Sequence, residues 1–209
     1  DYDRLRMLEE ALGKDSDLKK QASGGSAANT LIAAANFGST VFYTCKVACD
    51  ALGDFYHGDL IASGVNTNLL ESREYGATGR CLVLVTDDAE RTLATFLGVS
   101  ADLGPEAIDE KALQASDMLY IEGYLASSER SSRAALEAYQ IAKENNISIA
   151  LTFSDQTIVT FFRDKLEAII GGGIDLLFCN EQEARQWGSC STLRGAFDQL
   201  KEIAATWVC

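Results

Sequence analysis

The sequence predicts an α/β fold: a mostly parallel sheet with helices on both faces and a small β element beside it. Three observations carry this. Strand-like and helical segments alternate from residue 118 onward. A β-prone pair within residues 81–97, split by a polar turn, interrupts that alternation. With 209 residues, 47% hydrophobic and 23% charged, the chain can bury a sizeable core.

Residues 5–12 read as a short helix and 14–23 as a polar loop. A helix opens after Gly24-Gly25 and stops near Gly38; residues 41–46 read as a strand. Leu52, Phe55, Tyr56 and Leu60 fall at helical spacing, with Gly64 as the stop. Residues 81–86 and 92–97 form a hairpin around the four-residue loop Asp87-Asp88-Ala89-Glu90. A strand at 118–121, a helix at 129–145 and a strand at 147–153 follow. Ile158, Phe161, Phe162, Leu166 and Ile169 describe one amphipathic helix, stopped by Gly171-Gly172-Gly173. Residues 175–179 read as a strand. Leu193, Ala196, Phe197, Leu200, Ile203 and Ala204 describe a last helix, leading into a β-prone run at 206–209.

Net charge is −13 and the pI about 4.5, which argues against nucleic acid or an anionic membrane as main partner. A phosphate-bearing ligand held by a few local N–H groups and cations stays compatible with that surface. No apolar run is long enough to span a bilayer, and no basic start followed by an apolar stretch suggests a signal peptide. The six cysteines, Cys45, Cys49, Cys81, Cys179, Cys190 and Cys209, form no Cys-x-x-Cys pair, so a zinc site is not expected. They read as reduced thiols of a cytoplasmic protein. The single histidine, His57, reads as a surface residue on a helix. The chain starts at Asp1 within charged helical sequence and ends in an apolar β-prone run, so a longer parent protein is expected.

The segment Gly24-Gly25-Ser26-Ala27-Ala28-Asn29 carries the most chemistry. Two glycines allow close backbone approach to a ligand. The helix opening after them leaves N–H groups without intrahelical partners. Asn29 can donate and accept, as a sugar diol does; a plain loop entering a core helix has the same pattern. Asn180-Glu181-Gln182-Glu183 follows a strand, at the edge where open α/β sheets bind ligands. Asn180 and Glu183 match a capping box; equally, they suit the orientation of water around a magnesium ion near a phosphate. Glu122-Gly123-Tyr124 ends another strand, where the glycine permits a turn or a ligand approach and Tyr124 could wall a pocket. Asp155 reads as a helix cap. Arg91, in the hairpin, is either a solvated charge or a neutraliser of phosphate. Neither a Walker-type loop nor a Gly-x-Gly-x-x-Gly turn is present.

Taken in order and spacing, Gly24-Gly25-Ser-Ala-Ala-Asn29, Asp50-Ala-Leu-Gly53-Asp54, Gly64-Val65-Asn-Thr67, Thr78-Gly79, Glu90-Arg91-Thr92, Glu122-Gly123-Tyr124-Leu125 and Asn180-Glu-Gln-Glu183 resemble the PfkB family of carbohydrate and nucleoside kinases. The Tyr-Ile-Glu-Gly-Tyr-Leu and Phe-Ser-Asp stretches are most similar to its bacterial adenosine-kinase-like branch. The resemblance implies a three-layer α/β/α ribokinase-like fold, with the hairpin at about residues 78–98 as part of a β lid over the sugar. It implies ATP and Mg2+ as cofactors and transfer of the γ-phosphate to a primary hydroxyl of a ribosyl compound or sugar, with adenosine favoured. A fructokinase- or ribokinase-type acceptor, or an inactive sugar-binding regulator of the same fold, are the alternatives. It assigns Gly24, Gly25, Ser26, Asn29, Tyr124 and Arg91 to the acceptor, and Asn180 and Glu183 to magnesium and phosphate from outside the ion's direct ligands. The family's earlier sugar-binding Asp and its later Asp-Thr-x-Gly-Ala-Gly-Asp segment, with anion hole and catalytic base, are not among these residues. The base is therefore expected beyond Cys209, and the 209 residues alone are expected to be inactive. A homodimer through the edges of the β lid is the further expectation.

Overall fold

The computed structural model describes residues 2–12, 21–70 and 73–209; most of the loop expected at 14–23 lies outside them. The chain divides into two compact units, Asp1–Asp102 and Leu103–Cys209.

In the first unit, α1 (Tyr2–Leu12) is followed by α2 (Ser26–Asn36), β1 (Val41–Phe42), α3 (Ala51–Ala62) and β2 (Val65–Asn66). β1 and β2 pair in parallel. Leu60, Leu69, Val65 and Ala28 form a buried cluster with Val41, Cys45 and Val47. Asp50 caps α3 by accepting from Gly53 N–H, and the helix stops before Gly64 as expected. The strand expected at 41–46 is only two residues long. Tyr43 N–H still donates to Asn66 O, but β2 offers no further ladder. Lys46 instead pairs with Glu74 at 2.7 Å and donates to Asp102 O, which draws the chain off the strand line.

The hairpin consists of β3 (Arg80–Val85) and β4 (Arg91–Phe96), antiparallel with Val83 opposite Leu93. Its loop runs from Thr86 to Glu90, one residue longer than expected. Thr86 N–H donates to Glu90 O, and Ala89 takes a left-handed conformation, φ 65°. A longer loop needs such a residue to bring the strands back into register.

The second unit holds a four-stranded, all-parallel sheet: β5 (Met118–Glu122), β6 (Ser148–Thr152), β7 (Ile174–Phe178) and β8 (Ala204–Val208), adjacent in that order. A short helix α4 (Glu110–Gln114), α5 (Glu129–Glu144), α6 (Gln156–Phe161), α7 (Arg163–Ile170), α8 (Glu181–Gly188) and α9 (Leu193–Leu200) connect and flank the strands. The core runs through Ile121, Ile149, Leu151, Phe153, Leu166, Ile169, Leu177 and Leu200. The central strands are apolar on both faces, as a helix-covered parallel sheet requires.

Two expectations fail here for tertiary reasons. The amphipathic helix at 158–169 is two helices, broken at Phe162 (φ −124°, ψ 24°). The break buries Ile158, Val159, Leu166, Ile169 and Ile170, and leaves Phe161, expected in the core, 74% exposed. It also starts α7 at Arg163, which stacks on Trp187 at 4.6 Å and donates to its carbonyl. The last helix ends at Leu200, and Ile203 and Ala204 leave it. Ala204 pairs with Ile174, whose N–H donates to Ile203 O; a sheet partner outweighs helical spacing at these positions.

Candidate active site

In the first unit, Gly25 occupies the N-cap position of α2 with φ 105° and ψ 140°, a backbone open to glycine and little else. No side chain caps this end, so the first N–H groups of an eleven-residue helix have no intrahelical acceptor. A Cβ built on Gly24 or Gly25 meets no atom within 4 Å. Internal packing therefore does not explain Gly24. The approach is braced from α3: Tyr56 donates to Gly24 O at 3.1 Å, and Ser23 N–H donates to Asp59 at 3.1 Å. The Ser23 hydroxyl beside it is buried without a protein partner. Ser26 and Asn29 are exposed on the opening turn, with Asn29 N–H donating to Gly25 O and its amide side chain toward solvent. Arg91 lies at the loop end of the hairpin, opposite Val85, and is exposed.

The hairpin joins the rest of this unit through Asp50 and Thr78. The Asp50 carboxylate accepts from Thr78 N–H at 2.8 Å and Thr78 hydroxyl at 2.5 Å, and Thr78 Oγ1 accepts from Ala48 N–H. Burial pushes Asp50 up, but the Thr78 and Gly53 hydrogen bonds and the Arg73 charge together hold it below its ordinary 3.8.

In the second unit, the carboxyl ends of β5, β6 and β7 present a polar cluster. Glu122, the last residue of β5, is 8% exposed. It accepts from Tyr120 hydroxyl at 3.1 Å and Ser154 hydroxyl at 2.9 Å. Ser154 has a left-handed backbone, φ 69°, and its carbonyl accepts from Tyr124 hydroxyl at 3.3 Å. Gly123 is forced: a Cβ there would lie 2.6 Å from Phe153 O. Tyr124 therefore begins its turn against the neighbouring strand end, 46% exposed. Asp155 caps α6 through Thr157 N–H, as expected.

At the end of β7, Asn180 and Glu183 form the complete capping box. Asn180 N–H and Nδ2 donate to the two Glu183 oxygens at 3.0 and 2.8 Å, and Glu183 N–H donates to Asn180 Oδ1 at 2.8 Å. Glu183 is 6% exposed. Burial pushes its carboxyl up, the Asn180 N–H opposes that, and the Asp155 charge adds to it. Tyr124 is pushed up by burial and then by Asp155, Glu122 and Glu183. Tyr124 and Glu183 thus share one sheet edge, as expected, within one acidic field. The sequence reading left Glu122 without a role and missed Ser154. The available signal was a Ser-Asp pair ending a strand; burial of Glu122 has no local signature. Among the described residues, no group of three or more His, Cys, Asp or Glu side chains could hold a metal ion directly, and no helix is long and apolar enough to cross a membrane. His57 lies on α3, half-buried.

The profile of the pfkB family carbohydrate kinases matches residues 4–208. The chain belongs to that family. Its members are phosphotransferases with alcohol acceptors and use ATP and Mg2+. The adenosine kinase of Sinorhizobium meliloti superposes with a TM-score of 0.86 at 32% identity, over 98% of this chain and 62% of that one. An ATP-dependent ribose-1-phosphate kinase of Halopiger xanaduensis is 31% identical over 86% of this chain and 57% of its own. A 5-dehydro-2-deoxygluconokinase of Halalkalibacterium halodurans is 30% identical over 60% of this chain and 39% of its own. The chain therefore spans less than two thirds of each of these relatives. The parallel sheet flanked by helices is the ribokinase-like fold that the sequence implied.

Proposed function

We propose that the protein carrying this chain transfers the γ-phosphate of ATP to a primary hydroxyl of a ribosyl compound or sugar, with adenosine favoured. The observation that carries this reading is the uncapped start of α2, where Gly24, Gly25 and Ser26 leave backbone open beside the exposed Asn29 amide. Hydroxyls of a sugar can donate to and accept from such groups. Relatives named for adenosine and for ribose 1-phosphate share a ribosyl group, which supports that class of acceptor. Tyr124 would wall the acceptor, and Arg91 would offset phosphate charge.

Phosphoryl transfer is mostly positioning and charge stabilisation. Asn180 and Glu183 suit the magnesium role from a distance. Both Glu183 oxygens already accept from Asn180, so the carboxylate would act on water carried by the ion, which magnesium retains readily. When bound, magnesium neutralises charge on the transferring phosphate. Here the chain's own part is to hold those waters and to keep the acceptor hydroxyl in place.

Among the described residues the two hairpin strands pair only with each other, leaving an open edge on each, and Val83, Val85 and Leu93 are exposed. Pairing of these edges with a second copy would satisfy their open backbone groups and continue the apolar face across both hairpins, giving a homodimer; light scattering on the parent protein and on Val83→Glu, which places a charge on that shared face, tests that.

The central test is ADP formation with adenosine, ribose, ribose 1-phosphate and fructose as acceptors. The reading expects acceptor-dependent turnover with at least one ribosyl compound. Folded protein that turns over none of the four would sink it.

A further inference from the structure

Cys179 and Cys209 meet at the carboxyl ends of two adjacent parallel strands. β7 and β8 pair with Phe178 opposite Val208, and Cys179 N–H donates to Val208 O at 3.0 Å, carrying the ladder one residue further. The next register position places Cys179 beside Cys209. Residues opposite one another in a parallel ladder point to the same face, on strands about 4.8 Å apart. That spacing falls within the roughly 4.4–6.8 Å between Cα atoms that a disulfide spans. The register thus sets the two thiols beside each other, and both are free. Of the other four, Cys45 is buried, Cys49 is exposed in the first unit, Cys81 accepts from Thr95 hydroxyl, and Cys190 donates to Gly188 O.

We infer that Cys179 and Cys209 form a dithiol site that a peroxide oxidises to a disulfide joining β7 to β8. The thiolate of the exposed Cys209 attacks a peroxide oxygen, breaking the O–O bond and releasing hydroxide, and becomes a sulfenic acid, while burial pushes the Cys179 thiol up and leaves it to act second. The second sulfur attacks the sulfenic sulfur, forms the S–S bond and expels water. Two thiols and one hydrogen peroxide give one disulfide and two waters; sulfur loses two electrons and peroxide gains them. Adjacency of the two side chains across the ladder favours closure over further oxidation of the first sulfur. The residue after Cys179 is Asn180, the cap of α8, so the bond closes next to that helix start. The inference does not depend on the acceptor or on the magnesium reading.

The test is peptide mapping of the protein that carries this chain after graded hydrogen peroxide, with free thiols alkylated before and after reduction. The expected result is a linked peptide pair containing Cys179 and Cys209. Its yield should be independent of protein concentration and fully reversed by dithiothreitol. In Cys179→Ser, the exposed Cys209 should instead accumulate as a trapped sulfenic acid. Should that variant fail to fold, the map of the parent protein decides alone. Separate modification of the two cysteines, or linkage of either to a different cysteine in the folded protein, overturns the inference.

Discussion

Ser154 holds Glu122 from the neighbouring strand end. Its hydroxyl donates to Glu122 Oε2 at 2.9 Å while its carbonyl accepts from Tyr124 hydroxyl at 3.3 Å. It does both from a left-handed backbone, φ 69°, which a non-glycine residue adopts only at a cost. One residue thus sets a buried carboxylate and an exposed aromatic on the same sheet edge.

Ser154→Ala keeps the left-handed backbone and removes the hydroxyl from a nearly buried carboxylate. Loss of about 1–3 kcal/mol is expected for a buried acceptor left unpaired. Ser154→Gly removes the same bond but relieves roughly 1–2 kcal/mol of backbone strain. Denaturant titration should therefore rank the glycine variant above the alanine variant. The reverse order would show that the backbone is not strained there.

Asn29→Ala should raise the KM for the acceptor and leave the fold intact, because the side chain is exposed and bonds nothing within α2. A lost bond to a neutral hydroxyl corresponds to about 0.5–1.5 kcal/mol. Initial-rate kinetics check this alongside circular dichroism; unchanged acceptor kinetics would remove Asn29 from the acceptor site.

Glu183→Gln separates capping from magnesium chemistry. Gln also completes a capping box, so the helix should survive. Burial raises the Glu183 carboxyl above its ordinary 4.5. The folded state thus favours the protonated form, so this group's contribution to stability is fully present below 4.5 and lost as pH rises through the folded value. Gln removes the cost of a buried charge but keeps one acceptor where Asn180 presents two donors, so the variant should lose about 1–3 kcal/mol at neutral pH while staying folded. Its rate should depend less steeply on free magnesium. An identical magnesium titration would leave Glu183 as a cap only.

Asp50→Asn tests the joint between hairpin and α3. The native carboxyl sits below 3.8, so its contribution is present above 3.8 and lost as pH falls through the folded value. The variant presents an amide N–H toward Thr78 N–H or its hydroxyl, and should lose about 1–3 kcal/mol at neutral pH. Its stability should also fall less steeply between pH 4 and lower values than that of the parent, measured by thermal melts across that range.

Local chemistry was legible in the sequence wherever both partners lie within one turn. The Asn180–Glu183 box, the Asp155 cap, the stop of α3 at Gly64 and the opening of α2 after Gly25 are decided by residues two to four positions apart, and each stands where the residues put it. Alternation of apolar runs and helical spacing also determined the parallel α/β architecture. Tertiary structure decided what depends on a distant partner. β1 is short because β2 offers only two residues to pair with. α6 and α7 separate at Phe162, where Arg163 reaches Trp187. Ala204 leaves a helical pattern because Ile174 needs a partner in the sheet. The Glu122–Ser154 bond and the adjacency of Cys179 and Cys209 exist only because parallel pairing sets strand ends from distant parts of the chain side by side, and no spacing within a single segment encodes that register.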